Sequence, residues 1–208
     1  MTASAPVVFV VDDDASVRKS LTRLISSAGY AVKTFASARD YLAHAPPKGP
    51  CCLILDVRMP GLTGLELQEA LAGAAHRRSI VFITGHGDVS MSVKAMKGGA
   101  VDFLTKPFDS KDLLAAIQRA VAKDVRDRGD EAKVSDIQAR VRTLTPRETE
   151  VFALVVTGML NKQIGAALGI GEKTVKVHRA RVMDKMRAGS VAELVRLADG
   201  LGVIAAKE

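Results

Sequence analysis

The chain has 208 residues, of which 48% are apolar and 25% charged, a balance typical of globular proteins rather than of disordered or fibrous ones. No apolar run approaches the roughly 20 residues of a membrane-spanning helix. The first residues also lack the basic segment and apolar core of a secretory signal. The net charge of +7 indicates an acidic partner. We therefore expect a cytoplasmic protein with no membrane association.

The two cysteines, Cys51 and Cys52, are adjacent and lie inside an apolar run. This spacing matches neither a redox CxxC motif nor a set of metal ligands. We interpret both as small core residues of a protein that works in a reducing compartment.

Short apolar runs alternate with helical patterns in the first part of the chain. The predicted strands cover residues 7–11, 31–35, 51–56, 80–84 and 101–105. After each strand, apolar residues recur at helical spacing. This alternation predicts a doubly wound, five-stranded parallel sheet with helices on both faces.

Polar side chains stand where four of these strands end. They are Asp12 with Asp13, Asp56, Thr84 and Lys106. In open α/β sheets the carboxyl ends of the strands line one crevice, so we expect these side chains to lie together. Carboxylates in one crevice require a cation, and oxygen ligands favour Mg²⁺ or Mn²⁺. An aspartate can also be a nucleophile that forms an aspartyl phosphate, with the lysine and hydroxyl stabilising the transferred group.

Taken alone, Asp56 could equally be a residue that only caps its loop. The wider pattern resembles the receiver domain of two-component response regulators, which has a flavodoxin-like fold. The motifs that carry the resemblance are residues 11–13 (Val-Asp-Asp), 55–61 (Leu-Asp-Val-Arg-Met-Pro-Gly), 84–88 (Thr-Gly-His-Gly-Asp) and 106–108 (Lys-Pro-Phe).

The resemblance implies a role for each matching residue. Asp56 is the expected phospho-acceptor. Asp12 and Asp13 form the acidic metal pair, and Asp56 and the backbone carbonyl of Arg58 complete the expected metal site.

The family pattern also implies a switch. Thr84 and Lys106 are expected to contact the phosphoryl group, and the bond between Lys106 and Pro107 is expected to be cis. Phe103 is the aromatic residue expected to turn inward on activation. The alternative for Phe103 is an aromatic residue that stays in the core in both states.

The character of the chain changes after the last of these helices. Residues 125–143 are highly charged with few apolar residues, and we interpret them as a linker, either separate or a continuation of the helix that Gly129 weakens. The predicted division is a receiver over residues 1–124, this linker, and a second domain over residues 144–208.

Only helical patterns follow Leu144. Thr145 begins the first helix as its N-cap, Asn161 is expected to cap the second, residues 172–186 form the third, and Ser190 caps the fourth. The tight turn between the second and third helices predicts a helix-turn-helix domain.

Basic residues concentrate between positions 160 and 187, which is typical of a nucleic-acid-binding surface, although a solvated helix face remains the alternative. Val175, Val182 and Met186 share one face of the third helix and are expected to pack inward. The residues left for DNA are Lys162, Lys173, Thr174, Lys176, Val177, Arg179, Ala180 and Arg181.

Residues 144–148, 161–165 and 174–179 resemble the LuxR/FixJ-type helix-turn-helix. The two resemblances together imply a DNA-binding response regulator, not an enzyme. A sensor histidine kinase would phosphorylate it, and the phosphorylated form would dimerise on promoter DNA. Val93 and Lys97 are candidate dimer contacts, and the residue pair at 98–99 (Gly-Gly) departs from the family pattern on that surface, as Ser90 also does.

The sequence leaves two competing functions. The run of aspartates after the first strand also matches the start of haloacid-dehalogenase-type phosphatases, but that family needs a further acidic pair after its lysine, and Asp56 would have no role. A receiver controlled without phosphate is the other alternative. The acidic pair, Thr84 and Lys106 argue against it, because such a receiver does not need all of them.

Overall fold

The computed structural model describes residues 5–45, 47–73, 78–85 and 89–201. The chain divides into two compact units, Met1–Gly129 and Asp130–Glu208. The boundary lies inside the segment that we predicted as a linker, and our division at residues 124 and 143 remains a prediction.

A parallel sheet forms the centre of the first unit. Its strands run in the order β2-β1-β3-β4-β5, and every neighbouring pair is parallel, which confirms the predicted flavodoxin-like, doubly wound sheet. The strands are β1 (Val7–Val11), β2 (Ala31–Phe35), β3 (Cys51–Asp56), β4 (Ile80–Thr84) and β5 (Asp102–Thr105). All residues of β3 and β4 are buried, because helices cover both faces of the sheet.

Five helices follow the strands. They are α1 (Ala15–Ser27), α2 (Ala38–Ala43), α3 (Gly64–Ala72), α4 (Val89–Lys97) and α5 (Ser110–Val141). Ser37 caps α2, and Thr63 begins α3 with a capping box. Gly129 does not interrupt α5, so the expected weakening is not visible in the backbone.

The two glycines after α4 end this helix rather than loosen it. Gly99 has φ +91°, the left-handed conformation that ends many helices and favours glycine. Gly98 lies against the side chain of Gln68, and a Cβ atom there would be only 2.6 Å from the Gln68 amide oxygen. The Gln68 amide in turn donates to the carbonyl of Ala95 at 3.0 Å.

Among the described residues of the second unit, every regular element is a helix. Its helices are α6 (Pro146–Val156), α7 (Asn161–Leu168), α8 (Glu172–Met186) and α9 (Val191–Asp199). Thr145 and Ser190 cap α6 and α9 as predicted. The prediction for α7 was wrong: Leu160 is its N-cap, and Asn161 is already helical. The Asn161 side chain instead accepts a hydrogen bond from Arg179.

The core of this unit contains the predicted inward face of α8. Val175, Val182 and Met186 are fully buried there. Ile137 and Val141, from the last turns of α5, also pack against this core. No helix in the described part of the chain is both long and apolar enough to cross a membrane.

Candidate functional site

The predicted polar residues meet at the carboxyl end of the sheet. β1 and β3 are neighbouring strands, so Asp12, which follows β1, and Asp56, which ends β3, lie side by side. The Lys106 ammonium, which follows β5, lies 2.7 Å from Asp12 Oδ2 and 3.0 Å from Asp56 Oδ1. Asp12 is only 1% exposed and Asp56 only 6%. The sequence-based expectation that these three residues lie together is therefore met.

Backbone amides hold the remaining carboxylate oxygens of this crevice. The Arg58 N–H donates to Asp56 Oδ2 at 2.7 Å, and the Asp14 N–H donates to Asp12 Oδ1 at 2.9 Å. Asp13 is exposed beside them. Both buried carboxylates thus share one lysine, and each also receives one backbone hydrogen bond.

The shared lysine affects how easily Asp56 ionises. Burial raises the pKa of Asp56 above its usual value, although the Lys106 ammonium and the Arg58 N–H act in the opposite direction. Burial acts to lower the pKa of Lys106, but its contacts with Asp12 and Asp56 outweigh this effect and raise it. Lys106 therefore remains a cation at neutral pH.

Thr84 lies on β4, the strand next to β3, and Phe103 lies on β5, which pairs with β4. Thr84 ends β4 and is 1% exposed. Phe103 is half-buried on β5, with its ring centroid 6.2 Å from that of Phe82. The bond between Lys106 and Pro107 is cis, as expected. Residues 86–88 of the predicted motif lie outside the described residues.

The crevice offers oxygen ligands of the kind that Mg²⁺ prefers: the carboxylates of Asp12, Asp13 and Asp56 and nearby backbone carbonyls. Within the described residues, no group of three or more His, Cys, Asp and Glu side chains is arranged to hold a metal ion. The Lys106 ammonium lies between two of the carboxylates and supplies the positive charge there. The donor chemistry fits the predicted cation, although the side chains are not gathered around one point.

The predicted DNA-binding residues are distributed over α7 and α8. All of them are exposed except Arg179, which is half-buried. Val177 is an exposed apolar side chain, 49% accessible, among the charges of α8. His178 is half-buried, which favours a packing role over a base contact.

The predicted DNA-binding basic residues of α7 and α8 fall into two groups, those with a polar partner in the protein and those without an ion pair among the described residues. Arg179 donates to Asn161 Oδ1 at 2.8 Å, and Lys176 lies 3.2 Å from Glu172. No ion pair within the described part of the chain involves Lys162, Lys173 or Arg181. These three basic side chains are therefore not held by an ion pair within the described residues.

Sequence reasoning missed three polar contacts. Arg18 on α1 donates to the backbone carbonyls of Asp12 and Asp13. Asp124 on α5, which is fully buried, accepts from the Cys51 N–H at 2.9 Å and pairs with Arg128 at 2.6 Å. Only Arg18 could have been found by pattern, because helical side chains lean toward the N-terminus and can reach the preceding loop.

Lys185 forms the third contact that was missed. It pairs with buried Glu148 at 2.6 Å and donates to the carbonyl of Thr143 at 2.9 Å. Its role is therefore structural, although it belongs to the basic cluster of the sequence.

Two family models match the chain. Residues 8–118 match the response regulator receiver domain, and residues 142–198 match the luxR family of bacterial regulatory proteins. The chain belongs to the response regulators. It is a DNA-binding response regulator that controls transcription, and the family contains regulators rather than enzymes, which removes the phosphatase alternative.

Individual relatives of this response regulator extend over nearly all of it. Nodulation protein W of Bradyrhizobium diazoefficiens is 50% identical over 199 residues, covering 96% of this chain and 88% of that protein. Transcriptional regulatory protein FixJ of the same organism is 44% identical over 197 residues, covering 95% and 96%. The solved structure of response regulator StyR shares 46% identity with a TM-score of 0.81, covering 94% of this chain and 99% of that one.

Proposed function

We propose that Asp56 accepts a phosphoryl group from a sensor histidine kinase in the cytoplasm, and that this reaction switches dimerisation and promoter binding. The observation that carries the proposal is the geometry of Asp56. Its carboxylate lies at the end of the central strand β3, is nearly buried, and contacts the one ammonium group that also contacts Asp12. A carboxylate that only capped its loop would not require this lysine.

The transfer is a displacement at phosphorus. A carboxylate oxygen of Asp56 forms the new P–O bond while the P–N bond of the kinase phosphohistidine breaks, and the leaving imidazole nitrogen keeps the electron pair. Asp56 must be ionised to attack. Lys106 lies 3.0 Å from Asp56 Oδ1 and can stabilise the negative charge on the phosphoryl oxygens. The Thr84 hydroxyl would be a second contact to these oxygens.

A divalent cation completes this site in the proposal. Asp12, Asp13, Asp56 and the Arg58 backbone carbonyl would hold Mg²⁺ or Mn²⁺. Such an ion supplies positive charge for the phosphoryl oxygens while transfer takes place. Asp12 and Asp13, on the loop after β1, would hold the ion beside Asp56.

The switch surface in this proposal includes α4. This helix exposes Val89, Val93 and Met96, which are 79%, 45% and 47% accessible, and Lys97 is exposed at its last turn. Exposed apolar side chains on one short helix are typical of a surface that another protein covers. We propose that Thr84 and Phe103 shift on phosphorylation and that Val93 and Lys97 then contact a second copy of the chain.

DNA binding is assigned to α8 and the start of α7. We propose that α8 enters the major groove and that Lys162 contacts a backbone phosphate near the amides that begin α7. Val177 and Ala180 offer apolar contacts, and Thr174 and the basic side chains offer polar ones. A homodimer would place two such helices on neighbouring half-sites.

Intact-mass and sizing measurements test the switch. Wild type and Asp56→Asn are incubated with Mg²⁺ and a small acyl-phosphate donor. We expect one phosphoryl adduct and a shift to dimer in wild type only. An adduct without a dimer would contradict the dimer step and leave the acceptor in place. If neither protein gains an adduct, Asp56 is not an acceptor, and the protein is regulated without phosphate.

Anisotropy measurements with labelled duplex DNA test the DNA surface. Lys173→Ala should weaken binding to all sequences and reduce the slope of log affinity against log salt by about 1, because one phosphate contact is lost. Arg196→Ala on α9 removes the same charge and should leave the slope unchanged. Equal effects of the two substitutions would show that α8 is not the contact surface.

A further inference from the structure

Arg18 makes an unusual pair of contacts beside the phosphorylation crevice. One nitrogen of its guanidinium, Nη1, lies 2.7 Å from the carbonyl oxygen of Asp12 and 2.9 Å from that of Asp13. Successive carbonyls of an extended strand point to opposite sides. Here two successive carbonyls converge on one donor, so the strand geometry ends at this point and Arg18 holds the new direction.

The contacts of Arg18 avoid the carboxylates. Asp12 Oδ2 contacts Lys106 and Asp12 Oδ1 accepts the Asp14 N–H, whereas the Arg18 guanidinium donates only to backbone oxygens among the described residues. A guanidinium that bonded the carboxylates would neutralise the charge that a cation needs. Arg18 therefore orders the acidic loop and leaves its negative charges available.

The beginning of α1 fixes Arg18 itself. Asp14 is the N-cap of this helix and accepts bonds from the N–H and the hydroxyl of Ser16, both at 2.7 Å. The Arg18 N–H then closes the first helical turn onto the Asp14 carbonyl at 3.1 Å. The loop and the helix thus form one hydrogen-bonded unit. Among the described residues, Arg18 is the only residue of the helix whose side chain bonds to both Asp12 and Asp13.

We infer that Arg18 is a positioning residue for the divalent cation, holding the backbone of Asp12 and Asp13 so that their carboxylates can bind it. This inference rests on the proposed phosphoryl-transfer function. Residues that orient metal ligands typically contribute about tenfold or more to metal affinity. Arg18 would contribute through geometry, although its charge alone opposes a cation.

Because the charge of Arg18 repels a cation, the positioning role and the charge effect predict opposite changes in cation affinity. Arg18→Met keeps the apolar stem but removes both the charge and the donors. If Arg18 positions the loop, the variant binds the cation more weakly. If only its charge matters, the variant binds the cation more tightly, because one repulsive charge has gone.

Mn²⁺ titration followed by electron paramagnetic resonance measures the affinity without any phosphoryl donor. We expect the Mn²⁺ dissociation constant to rise about tenfold in Arg18→Met. Arg23→Met, on the exposed surface of the same helix, removes the same charge and should bind as wild type does. Tighter or unchanged binding by Arg18→Met would overturn the inference. If wild type itself binds no Mn²⁺, the proposed cation site fails, which is a different result.

A second variant and a second readout guard against a folding defect. Arg18→Lys keeps the charge on a shorter side chain that cannot reach both carbonyls as the guanidinium does, so we expect a smaller loss of Mn²⁺ affinity. Wild-type affinity in Arg18→Lys would overturn the inference. Amide hydrogen exchange should accelerate at Asp14 in Arg18→Met while exchange within β3 stays unchanged. Protection retained at Asp14 would show that the loop is ordered without Arg18.

Discussion

Both units of the response regulator bury a carboxylate against a lysine, and the two pairs behave differently. In the first unit Asp56 contacts Lys106 at 3.0 Å, and in the second Glu148 contacts Lys185 at 2.6 Å. Burial raises the pKa of Asp56, whereas the Lys185 contact lowers the pKa of Glu148 to about 2. Similar partners therefore leave one carboxylate harder to ionise and the other almost permanently charged.

The pKa difference follows from burial, which is the largest effect at Asp56, and from the hydrogen bonds with Lys185 and Thr145, which are the largest effects at Glu148. Lys106 divides its charge between Asp12 and Asp56. Lys185 has one carboxylate, and Glu148 also closes the capping box of α6 by accepting the Thr145 N–H at 2.9 Å. Glu148 pairs with Lys185 and also completes the helix cap, so its carboxylate stays ionised. The Asp56 carboxylate shares its lysine and can exchange partners, as the phosphoryl transfer that we propose requires.

Removing the shared lysine should give the largest effect. Lys106→Met leaves Asp12 and Asp56 facing each other without a cation, so we expect phosphorylation by an acyl-phosphate donor to slow by about 10²-fold or more. Intact mass against time gives the rate. Lys111→Met, an exposed lysine at the start of α5, is the matched control. A rate within a few-fold of wild type would show that Lys106 only pairs charges.

Neutralising Glu148 should have the second-largest effect, a loss of folding stability. Because the pKa of Glu148 is lower in the folded state, its contribution is fully present above the usual value of 4.5 and is lost as pH falls toward about 2. Glu148→Gln should therefore melt several degrees lower at pH 7 by calorimetry and lose less stability in acid. Glu150→Gln, half-exposed on the same helix, should change little. A melting temperature equal to that of wild type would refute the role of the pair.

The smallest expected effect has the opposite sign. The raised pKa of Asp56 means that its ionised form costs stability once pH exceeds the usual carboxyl value of 3.8. Asp56→Asn should therefore melt slightly higher than wild type at pH 7, and the gain should disappear as pH is lowered toward 4. Circular dichroism melts across this range measure it. A variant less stable than wild type at neutral pH would show that the Lys106 contact outweighs burial.

The strand ends were predictable from the sequence because apolar runs of period and length typical of buried strands stop at Asp12, Asp56, Thr84 and Lys106. The order of the strands then brings these residues to one edge. The core face of α8 was predictable for the same reason, since its apolar residues recur at helical spacing.

Contacts between distant residues were not predictable. Asp124 and Cys51 are 73 positions apart, and Lys185 and Glu148 are 37 apart, so no local pattern links them. The N-cap of α7 was placed one residue late because asparagine is a strong N-cap, but here Arg179 uses its side chain. Contacts with residues distant in sequence therefore determine these features, and local sequence propensity does not predict them.

The last turns of α5 affect how this DNA-binding module can be moved between proteins. Arg140 donates to the carbonyl of Met186 at 3.0 Å, where α8 ends, and Ile137 and Val141 pack into the same core. The segment that matches the luxR family begins only at residue 142. A graft that starts there would leave the end of α8 without its donor. The segment that must be transferred is therefore longer than the segment that matches the luxR family, and a fusion should begin near residue 130.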